Sequence, residues 1–330
     1  MIDHEELRRR LGERFGPFLG MARLAPDAST RLFHRVHRGD GTLAVLLTDP
    51  SGGRSAIERL VEAQRLLSAI GVPVPALLDA EPALASVLLE DFGDLLLADA
   101  VDGMPRDRLL SAYRDAARIA ARIATRGTPL VGAGHPLADR PLARRRLRQE
   151  LQFFVVRDVV RRRGPNDEAL LGRLGRALDR IAEELGRHQP ELAHRDFHAR
   201  NMLLAQGDRL GVVDFQDTLL APPLYDLASL LFDPYVEMDE ELRCEVAAAY
   251  ASEAGLTDDP LGDPRLPWVA MQRLLKALGT YAFQLVEREN DRFAPAVERA
   301  ERSAVATCGK IQGDFGHELH DLLVRLDFST

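Results

Sequence analysis

The alternation of apolar and polar positions divides the chain into a strand-rich first part and a helix-rich remainder. Residues 4–16 have the apolar spacing of an amphipathic helix, whereas residues 20–48 have the alternation typical of strands. A second helix is predicted over residues 54–69, where apolar positions recur every three to four residues. The apolar run at 85–90 predicts a buried strand. The first 90 residues therefore favour a small sheet with a helix packed against it.

Helical spacing dominates the rest of the chain. The predicted helices cover residues 105–126, 142–163, 166–187, 238–254, 266–287 and most of 293–328. Strand-like runs return at 201–205 and 210–214, and the Gln-Gly-Asp turn between them predicts a hairpin. The pattern predicts an α+β protein with a small N-terminal β-sheet lobe carrying one helix and a large, mainly helical C-terminal lobe.

One stretch carries recognisable chemistry. The segment from His194 to Asn201 fits the kinase catalytic loop H-R-D-x-x-x-x-N, and the hairpin after it leads to Asp214. Two such strands can bring Asn201 and Asp214 together, and an amide oxygen and a carboxylate are hard ligands suited to magnesium. Asp196 would lie beside that metal and accept a proton from a hydroxyl. We therefore predict Asp196 as the catalytic residue and Asn201 and Asp214 as the metal ligands.

Two alternative interpretations of these residues were weighed. The alternate spacing of His194, Asp196 and His198 would suit a transition-metal cluster, but that interpretation leaves Asn201 and Asp214 without a role. Asp-Phe-Gly also occurs at 91–93 and at 314–316. Neither copy comes directly after a catalytic loop and a hairpin, as Asp214 does, so we interpret both as unrelated to the metal site.

The motifs at 194–201, 211–217 and 222–231 resemble those of the aminoglycoside phosphotransferase and choline kinase superfamily. At 214–216 the chain has Asp-Phe-Gln where protein kinases have Asp-Phe-Gly. The segment 211–217 followed by 222–231 resembles most closely the branch of bacterial anomeric kinases for N-acetylmuramate and N-acetylglucosamine. The resemblance implies a bilobal protein-kinase-like fold with lobes at 1–93 and 94–330. It also implies an ATP- and Mg²⁺-dependent enzyme that makes the sugar 1-phosphate in peptidoglycan recycling.

The nucleotide phosphates present a difficulty, because the chain has no lysine before Lys276. Kinases normally hold the α and β phosphates with a lysine on the third strand. We expect Arg31 to substitute, with Arg35 as the second candidate, since a guanidinium binds phosphate in a bidentate manner. A solvated edge-strand arginine is the alternative. The resemblance places the nucleotide-covering loop at Ser29 and Thr30, although an ordinary turn would use the same residues.

The resemblance also implies the positions of the adenine and of the acceptor. The Leu-Leu-Glu-Asp-Phe-Gly-Asp segment is similar to the interlobe hinge of the family, so backbone groups at Glu90, Asp91 and Phe92 are expected to hold adenine. Substrate-side candidates are Asp217, Glu150 and Arg273. Gln272, Arg273 and Lys276 share one face of the helix at 266–287, and interior hydrogen bonding there is an equal alternative. Asp226 is expected to brace the catalytic loop without taking part in the chemistry.

Composition narrows the function classes. A net charge of −8 excludes a general nucleic-acid binder, which would carry a basic footprint. The two cysteines, Cys244 and Cys308, stand in no ligand spacing and favour a reducing compartment. The charged N-terminus is not expected to be a signal peptide, and no apolar run approaches the roughly 20 residues of a membrane span. These features predict a cytoplasmic protein without nucleic-acid or membrane partners, and no obligate protein partner is inferred. The resemblance implies that its partners are ATP and a sugar.

Three rival functions remain open. An aminoglycoside kinase needs a strongly acidic acceptor surface, and the densest acidic cluster, at 237–241, is better explained as a helix start. A choline kinase needs an aromatic cage, and aromatic residues make up only 6% of the chain. A catalytically inactive nucleotide-binding scaffold would fit the missing lysine, but it has no need of Asp196, Asn201 and Asp214 together.

Overall fold

A five-stranded antiparallel sheet forms the centre of the first of two units. The computed structural model describes residues 4–24, 31–164, 167–205 and 209–328. The first unit comprises Met1–Leu95 and Leu203–Asp217, and the second comprises Leu96–Met202 and Thr218–Thr330. The strands are β1 (Phe18–Arg23), β2 (Leu32–Arg38), β3 (Leu43–Thr48), β4 (Leu77–Glu81), β5 (Ser86–Glu90), β6 (Glu191–Ala193), β7 (Met202–Leu204), β8 (Leu210–Val212) and β9 (Leu219–Ala221).

Helices make up most of the second unit. The helices are α1 (His4–Phe15), α2 (Gly53–Ala69), α3 (Leu97–Ala100), α4 (Arg106–Arg122), α5 (Arg144–Phe154), α6 (Glu168–Leu185), α7 (Tyr225–Leu231), α8 (Glu240–Ala254), α9 (Leu266–Glu287), α10 (Ala294–Cys308) and α11 (Asp314–Arg325). Helix α4 continues as a π-helix over Ile123–Gly127, and α5 does so over Val155–Arg162. Short 3₁₀ helices cover Pro82–Leu84, Val101–Gly103, Thr128–Leu130, Ala199–Asn201, Phe215–Asp217, Pro260–Gly262 and Asp291–Phe293. No helix in these described ranges has the length and apolarity needed to cross a membrane.

The sheet of the first unit has the order β1-β2-β3-β5-β4, with neighbouring strands antiparallel. The residues of its core on one face are buried: Leu11, Phe15, Val36, Ala44, Leu46 and Leu88. Two of these, Leu11 and Phe15, come from α1, so α1 packs on the sheet. The α-helices described in the first unit, α1 and α2, correspond to the helices predicted over residues 4–16 and 54–69, so α1 adds a second helix to the lobe that was predicted to carry one.

The β7–β8 hairpin belongs to the first unit. Leu204 N–H donates to the Leu95 carbonyl at 2.8 Å, and Val212 N–H donates to the Pro73 carbonyl at 2.8 Å. Position 211 requires glycine, because a Cβ atom there would overlap the ring of Phe92. These contacts fix the position of the strand that leads into Asp214.

Helix α9 is the central helix of the second unit. Its residues are buried over most of its length, and Gly279 permits a close approach to α5, because a Cβ atom there would lie 2.8 Å from the Phe154 Cα. The same helix carries Arg273 and Lys276 on a buried face. The packing of α9 thus determines where these two cations lie.

The predicted α+β class is confirmed, and the helix predicted at 266–287 has the observed bounds of α9. Three strands were not predicted: β4, β6 and β9. β4, with the sequence Leu-Leu-Asp-Ala-Glu, lacks an apolar run, and β6 and β9 pair with each other without a local turn between them. The predicted lobe boundary at 93 stays a prediction. The structure ends the first segment of the first unit at Leu95 and adds Leu203–Asp217 to it, because the hairpin bonds to that unit.

Candidate active site

The catalytic loop runs from the end of β6 to the turn at Ala199–Asn201, and its backbone is held by a buried carboxylate. Arg195 has a left-handed backbone conformation with φ of 83°, which costs on the order of 1 kcal/mol or more for a residue with a side chain. Asp226 on α7 accepts the His194 N–H at 2.6 Å and the Arg195 N–H at 3.0 Å. Burial raises the pKa of Asp226, although the two N–H groups oppose the shift. These contacts suit the bracing role predicted for Asp226.

A second buried carboxylate holds the other end of the loop. Asp233 accepts the Ala199 N–H at 2.7 Å and the Tyr235 N–H at 2.9 Å. Burial raises its pKa to about 6 in spite of these donors. The role of Asp233 was not predicted from the sequence. An aspartate that accepts the N–H two residues ahead forms an Asx turn, and the Asp-Pro-Tyr sequence was the available signal.

The carboxylate of Asp196 is in contact with two cations from α9. Its Oδ1 accepts from Lys276 Nζ at 2.6 Å and from Arg273 Nη1 at 3.2 Å. Burial alone would raise the pKa of Asp196, but the charges of Lys276, Arg195 and Arg273 outweigh it and hold the pKa well below its usual range. Asp196 is therefore an ionised carboxylate with both cations on one oxygen, which leaves Oδ2 as the atom to accept a substrate hydroxyl.

A cavity opens beside Asp196 within the second unit. Its lining includes Asp196, His198, Tyr235, Arg273, Lys276 and Tyr281. Burial lowers the pKa of His198 to about 3, so its ring is neutral near pH 7. The cavity thus presents one carboxylate, two cations and two tyrosine side chains.

Glu150, a predicted substrate-side residue, lies in an internal network. Its carboxylate accepts from Arg195 Nη2 at 2.6 Å and from Gln272 Nε2 at 2.9 Å. The Tyr225 hydroxyl donates to Gln272 Oε1 at 3.0 Å. Glu150 does not belong to the described lining of the cavity beside Asp196. Of the predicted substrate-side residues, the structure brings Arg273 into contact with Asp196 and places Glu150 behind the catalytic loop.

Arg31 lies among three carboxylates of the first unit. Its guanidinium is 3.2 Å from Asp49 Oδ2, 3.5 Å from Asp217 Oδ2 and 4.0 Å from Asp214 Oδ1. Asp49 is itself fixed, because its carboxylate accepts the Gly52 N–H at 2.7 Å before α2. Asp49 was not predicted from the sequence as the partner of Arg31, because the two residues lie 18 positions apart and meet only in the folded unit.

The glutamates of α2 pair elsewhere. Glu58 pairs with Arg54 at 3.7 Å and Glu62 with Arg65 at 3.3 Å, both on the exposed side of the helix. Arg35, the second candidate for the phosphates, bonds to both carboxylate oxygens of Asp91 and to Asp94. Arg35 is therefore committed to the segment after β5, whereas Arg31 adjoins Asp214 and Asp217.

Asp214 has the features expected of a metal ligand. It adopts a left-handed backbone with φ of 62°, its side chain is 42% exposed, and Gln216 Nε2 donates to its Oδ1. Asn201 uses its amide nitrogen on the Asp196 carbonyl at 2.8 Å, so its amide oxygen is the atom suited to a hard cation. Both donors fit magnesium.

A transition metal fits less well. In the part of the chain that the structure describes, no group of three or more His, Cys, Asp or Glu side chains is arranged for a metal ion. The alternative of a cluster at His194, Asp196 and His198 is therefore wrong. The imidazole of His198 is buried, and the Asp196 carboxylate already bonds to cationic side chains and not to a metal ion.

The predicted hinge residues use their side chains within the first unit. Glu90 accepts the Ala76 N–H at 3.1 Å, and its own N–H donates to the Ala76 carbonyl at 2.9 Å. Asp91 pairs with Arg35, and Phe92 packs on the α-carbon of Gly211. The N–H of Glu90 is thus already used. The predicted loop residues Ser29 and Thr30 lie outside the described residues.

Comparison with known proteins gives a consistent family. A profile of the phosphotransferase enzyme family (APH) matches residues 21–268. The chain is 27% identical over 284 residues to the N-acetylmuramate/N-acetylglucosamine kinase of Neisseria meningitidis serogroup B, covering 83% of this chain and 81% of the relative. It is 29% identical over 263 residues to the Pseudomonas aeruginosa protein of the same name, covering 78% of this chain and 74% of the relative.

The fold is also similar to that of a solved structure. A choline/ethanolamine kinase family protein from Mesorhizobium loti superposes with a TM-score of 0.61 at 16% identity, covering 97% of this chain and 98% of the other. At that identity the likeness shows a shared fold. The predicted kinase-like fold class is thereby confirmed.

Proposed function

Because the chain belongs to the phosphotransferase enzyme family, we propose that it is an ATP-dependent kinase that phosphorylates the anomeric hydroxyl of N-acetylmuramate and N-acetylglucosamine. The relatives of Neisseria and Pseudomonas that support this acceptor carry both sugars in their names. The observation that carries the proposal is the ionised Asp196 carboxylate at a cavity with two cations on one of its oxygens.

In the proposed mechanism Asp196 receives the acceptor hydroxyl on Oδ2 and takes its proton. Lys276 and Arg273 on Oδ1 keep the carboxylate ionised and fix its orientation. A carboxylate stabilised in this way is a weak base. A weak base is sufficient for a phosphoryl transfer with a loose transition state. An anomeric hydroxyl suits such a base, because the ring oxygen makes a hemiacetal hydroxyl more acidic than an ordinary alcohol.

The charge of the cavity supports an anionic or neutral acceptor. Arg273 and Lys276 are in place to attract the carboxylate of N-acetylmuramate, and Tyr235 and Tyr281 offer rings for the face of a sugar. The same two cations disfavour polycationic aminoglycosides and quaternary choline through like-charge repulsion. The alternatives within the superfamily are therefore less well supported than an amino sugar.

The nucleotide half of the proposal rests on residues of the first unit and on Asn201 of the second. Arg31 would contact the nucleotide phosphates, and the segment Glu90 to Phe92 would contact adenine. Asp214 and Asn201 would hold the magnesium ion, and Asp217 adjoins Arg31. When bound, magnesium neutralises charge on the phosphate oxygens. The cytoplasmic location and the part in cell-wall recycling belong to this proposal as well.

The test is phosphorus NMR of the purified protein with Mg-ATP and each of the two sugars. We expect a new acid-labile sugar 1-phosphate resonance, which disappears in Asp196→Asn. Asp102→Asn removes an exposed carboxylate of the same unit and serves as the matched control, with product formation unchanged. A 6-phosphate product would retain the kinase and reject the anomeric position.

The inactive scaffold predicts a different result. Such a protein would bind Mg-ATP in a calorimetric titration and release no ADP with any acceptor. Absence of product with both amino sugars, together with turnover of an aminoglycoside or choline, would instead replace the acceptor and keep the enzyme class.

A further inference from the structure

A second cavity in the second unit is lined by positive charge. Its lining contains the cations Arg243, Arg302 and Lys310, the hydroxyl residues Ser303 and Thr307, and the ring of Phe232. It has a volume of about 190 Å³, against about 90 Å³ for the cavity beside Asp196. No carboxylate belongs to its described lining, in a protein whose net charge is −8. This cavity takes no part in the proposed transfer reaction.

Three elements bring the cations together. Arg243 lies on α8, Arg302 on α10, and Lys310 just beyond the end of α10. Arg243 lies with its guanidinium carbon 5.3 Å from the centre of the Phe232 ring, and the Lys310 ammonium is 5.9 Å from the same centre. Both cations are therefore in cation–π contact with the Phe232 ring.

The hydrogen-bonding capacity of this cluster is not used up by its acidic neighbours. The Nε of Arg243 is buried and has no hydrogen-bond acceptor among the described residues. Arg302 has Glu237 at 3.7 Å, but that glutamate side chain is 78% exposed, so the pair is weak. A buried donor without an acceptor is destabilising, and an anion in the cavity would supply the missing acceptor.

We propose that this cavity, hereafter the basic cavity, binds inorganic phosphate or a small phosphate monoester and that the bound anion acts on the cavity beside Asp196. Guanidinium and ammonium groups with nearby hydroxyls are the donors that recognise phosphate oxygens. The route of coupling is Phe232, whose ring lines both cavities.

The residue after Phe232 connects the ring to the catalytic loop. Asp233 accepts the Ala199 N–H and the Tyr235 N–H, and Tyr235 lines the cavity beside Asp196. A shift of the Phe232 ring would therefore move the residues that line that cavity and the backbone of the catalytic loop. This coupling rests on the proposed function, whereas the binding site itself does not.

The binding test is a calorimetric titration with inorganic phosphate and, separately, with α-D-glucose 1-phosphate, in the absence of nucleotide, magnesium and amino sugar. We expect one equivalent to bind and the double variant Arg302→Gln, Lys310→Gln to weaken binding roughly tenfold or more for each charge removed. Tighter binding of the monoester identifies an esterified ligand, and tighter binding of the free ion identifies phosphate itself.

Two controls locate the bound phosphate. Arg325→Gln removes an exposed arginine of α11 and should leave the affinity unchanged. Arg31→Gln tests the first unit as the rival location. Weakening by Arg31→Gln without weakening by the double variant would overturn the site, as would the absence of phosphate binding in the unaltered protein. Circular dichroism of the double variant checks that the helices are retained.

The coupling test compares the KM for N-acetylglucosamine with and without saturating phosphate at matched ionic strength. We expect phosphate to change this KM in the unaltered protein and in Arg325→Gln, and to leave it unchanged in the double variant. Phe232→Leu should retain phosphate binding and lose the effect on KM. A KM that does not respond to a saturated basic cavity would overturn the coupling and retain the site.

Discussion

The two units treat their essential aspartates in opposite ways. In the second unit the Asp196 carboxylate is surrounded by cations: Lys276 and Arg273 bond to one of its oxygens. In the first unit the arrangement is inverted, because the guanidinium of Arg31 has three carboxylates around it, those of Asp49, Asp214 and Asp217. The Asp196 side chain is 26% exposed, whereas the side chains of Asp214 and Asp217 are each 42% exposed.

This difference indicates what each unit still needs from a ligand. Around Asp196 two cations meet one carboxylate, so the acceptor has to present a hydroxyl to Oδ2 and no metal ion is needed there. Around Arg31 negative charge is in excess, and such a region accepts phosphate only together with a divalent cation. The excess of carboxylates around Arg31 is therefore consistent with the magnesium dependence in our proposal.

The strongest test of this contrast uses one variant from each unit. We expect Asp196→Asn and Asp214→Asn each to lower kcat by roughly 10²–10⁴-fold. Only Asp214→Asn should also abolish the Mg²⁺ dependence of ADP binding in a calorimetric titration, because Asp196 is not a metal ligand in the proposal. Equal Mg²⁺ dependence in the two variants would contradict the assignment of the metal to Asp214.

Lys276 tests whether the cations on Asp196 matter for turnover. Lys276→Met keeps the length of the side chain and removes the charge, and the Oδ1 atom loses its contact at 2.6 Å. We expect kcat to fall roughly 10- to 100-fold, since hydrogen bonds to charged groups contribute about 1.5–3 kcal/mol. The KM for ATP should not change. Partial rescue by Lys276→Arg would support the charge, whereas a change in the ATP KM alone would argue against this role.

Arg31 tests the substitution for the missing lysine. Arg31→Gln removes the charge that balances Asp49, Asp214 and Asp217, so nucleotide phosphates should be repelled. We expect the KM for ATP to rise roughly tenfold with a smaller effect on kcat, measured by ADP release. Arg35→Gln is the matched control because Arg35 pairs with Asp91 and Asp94 instead. A larger rise in Arg35→Gln would transfer the phosphate role to that residue.

The smallest expected effect concerns the stability of the second unit in mild acid. Burial lowers the pKa of His198 to about 3, below the roughly 6.5 of an unfolded histidine. The unfolded chain therefore binds more protons between these values, and stability is lost as the pH falls through 6.5. This residue should reduce the free energy of unfolding by about 2 kcal/mol between pH 7 and pH 5.

Urea unfolding at the two pH values measures this term. His198→Gln should show a pH dependence about 2 kcal/mol smaller than that of the unaltered protein. His317→Asn, an exposed histidine on α11, should retain the full dependence. An unchanged dependence in His198→Gln would show that the imidazole is not buried in the neutral form.

Much of this protein could be predicted from local patterns. The bounds of α9, the α+β class and the catalytic-loop motif follow from spacings within about 20 residues, because helix period and turn chemistry are local properties. The strands not predicted were β4, which lacks an apolar run, and β6 and β9, which pair with each other without a local turn between them. The missed functional residues, Asp49 and Asp233, form their contacts with residues 18 and 34 positions away.

The sequence by itself determined the segments that carry Asp196, Asn201 and Asp214 and the absence of a lysine before Lys276. Only the tertiary structure decided which side chains surround them. Lys276 lies 80 positions from Asp196 along the chain, and it reaches the carboxylate because α9 packs closely on α5 at Gly279. Helix periodicity predicts that residues 272, 273 and 276 share a face, but it does not say what that face meets. That partner is decided by packing between helices distant in sequence, which local spacing does not encode.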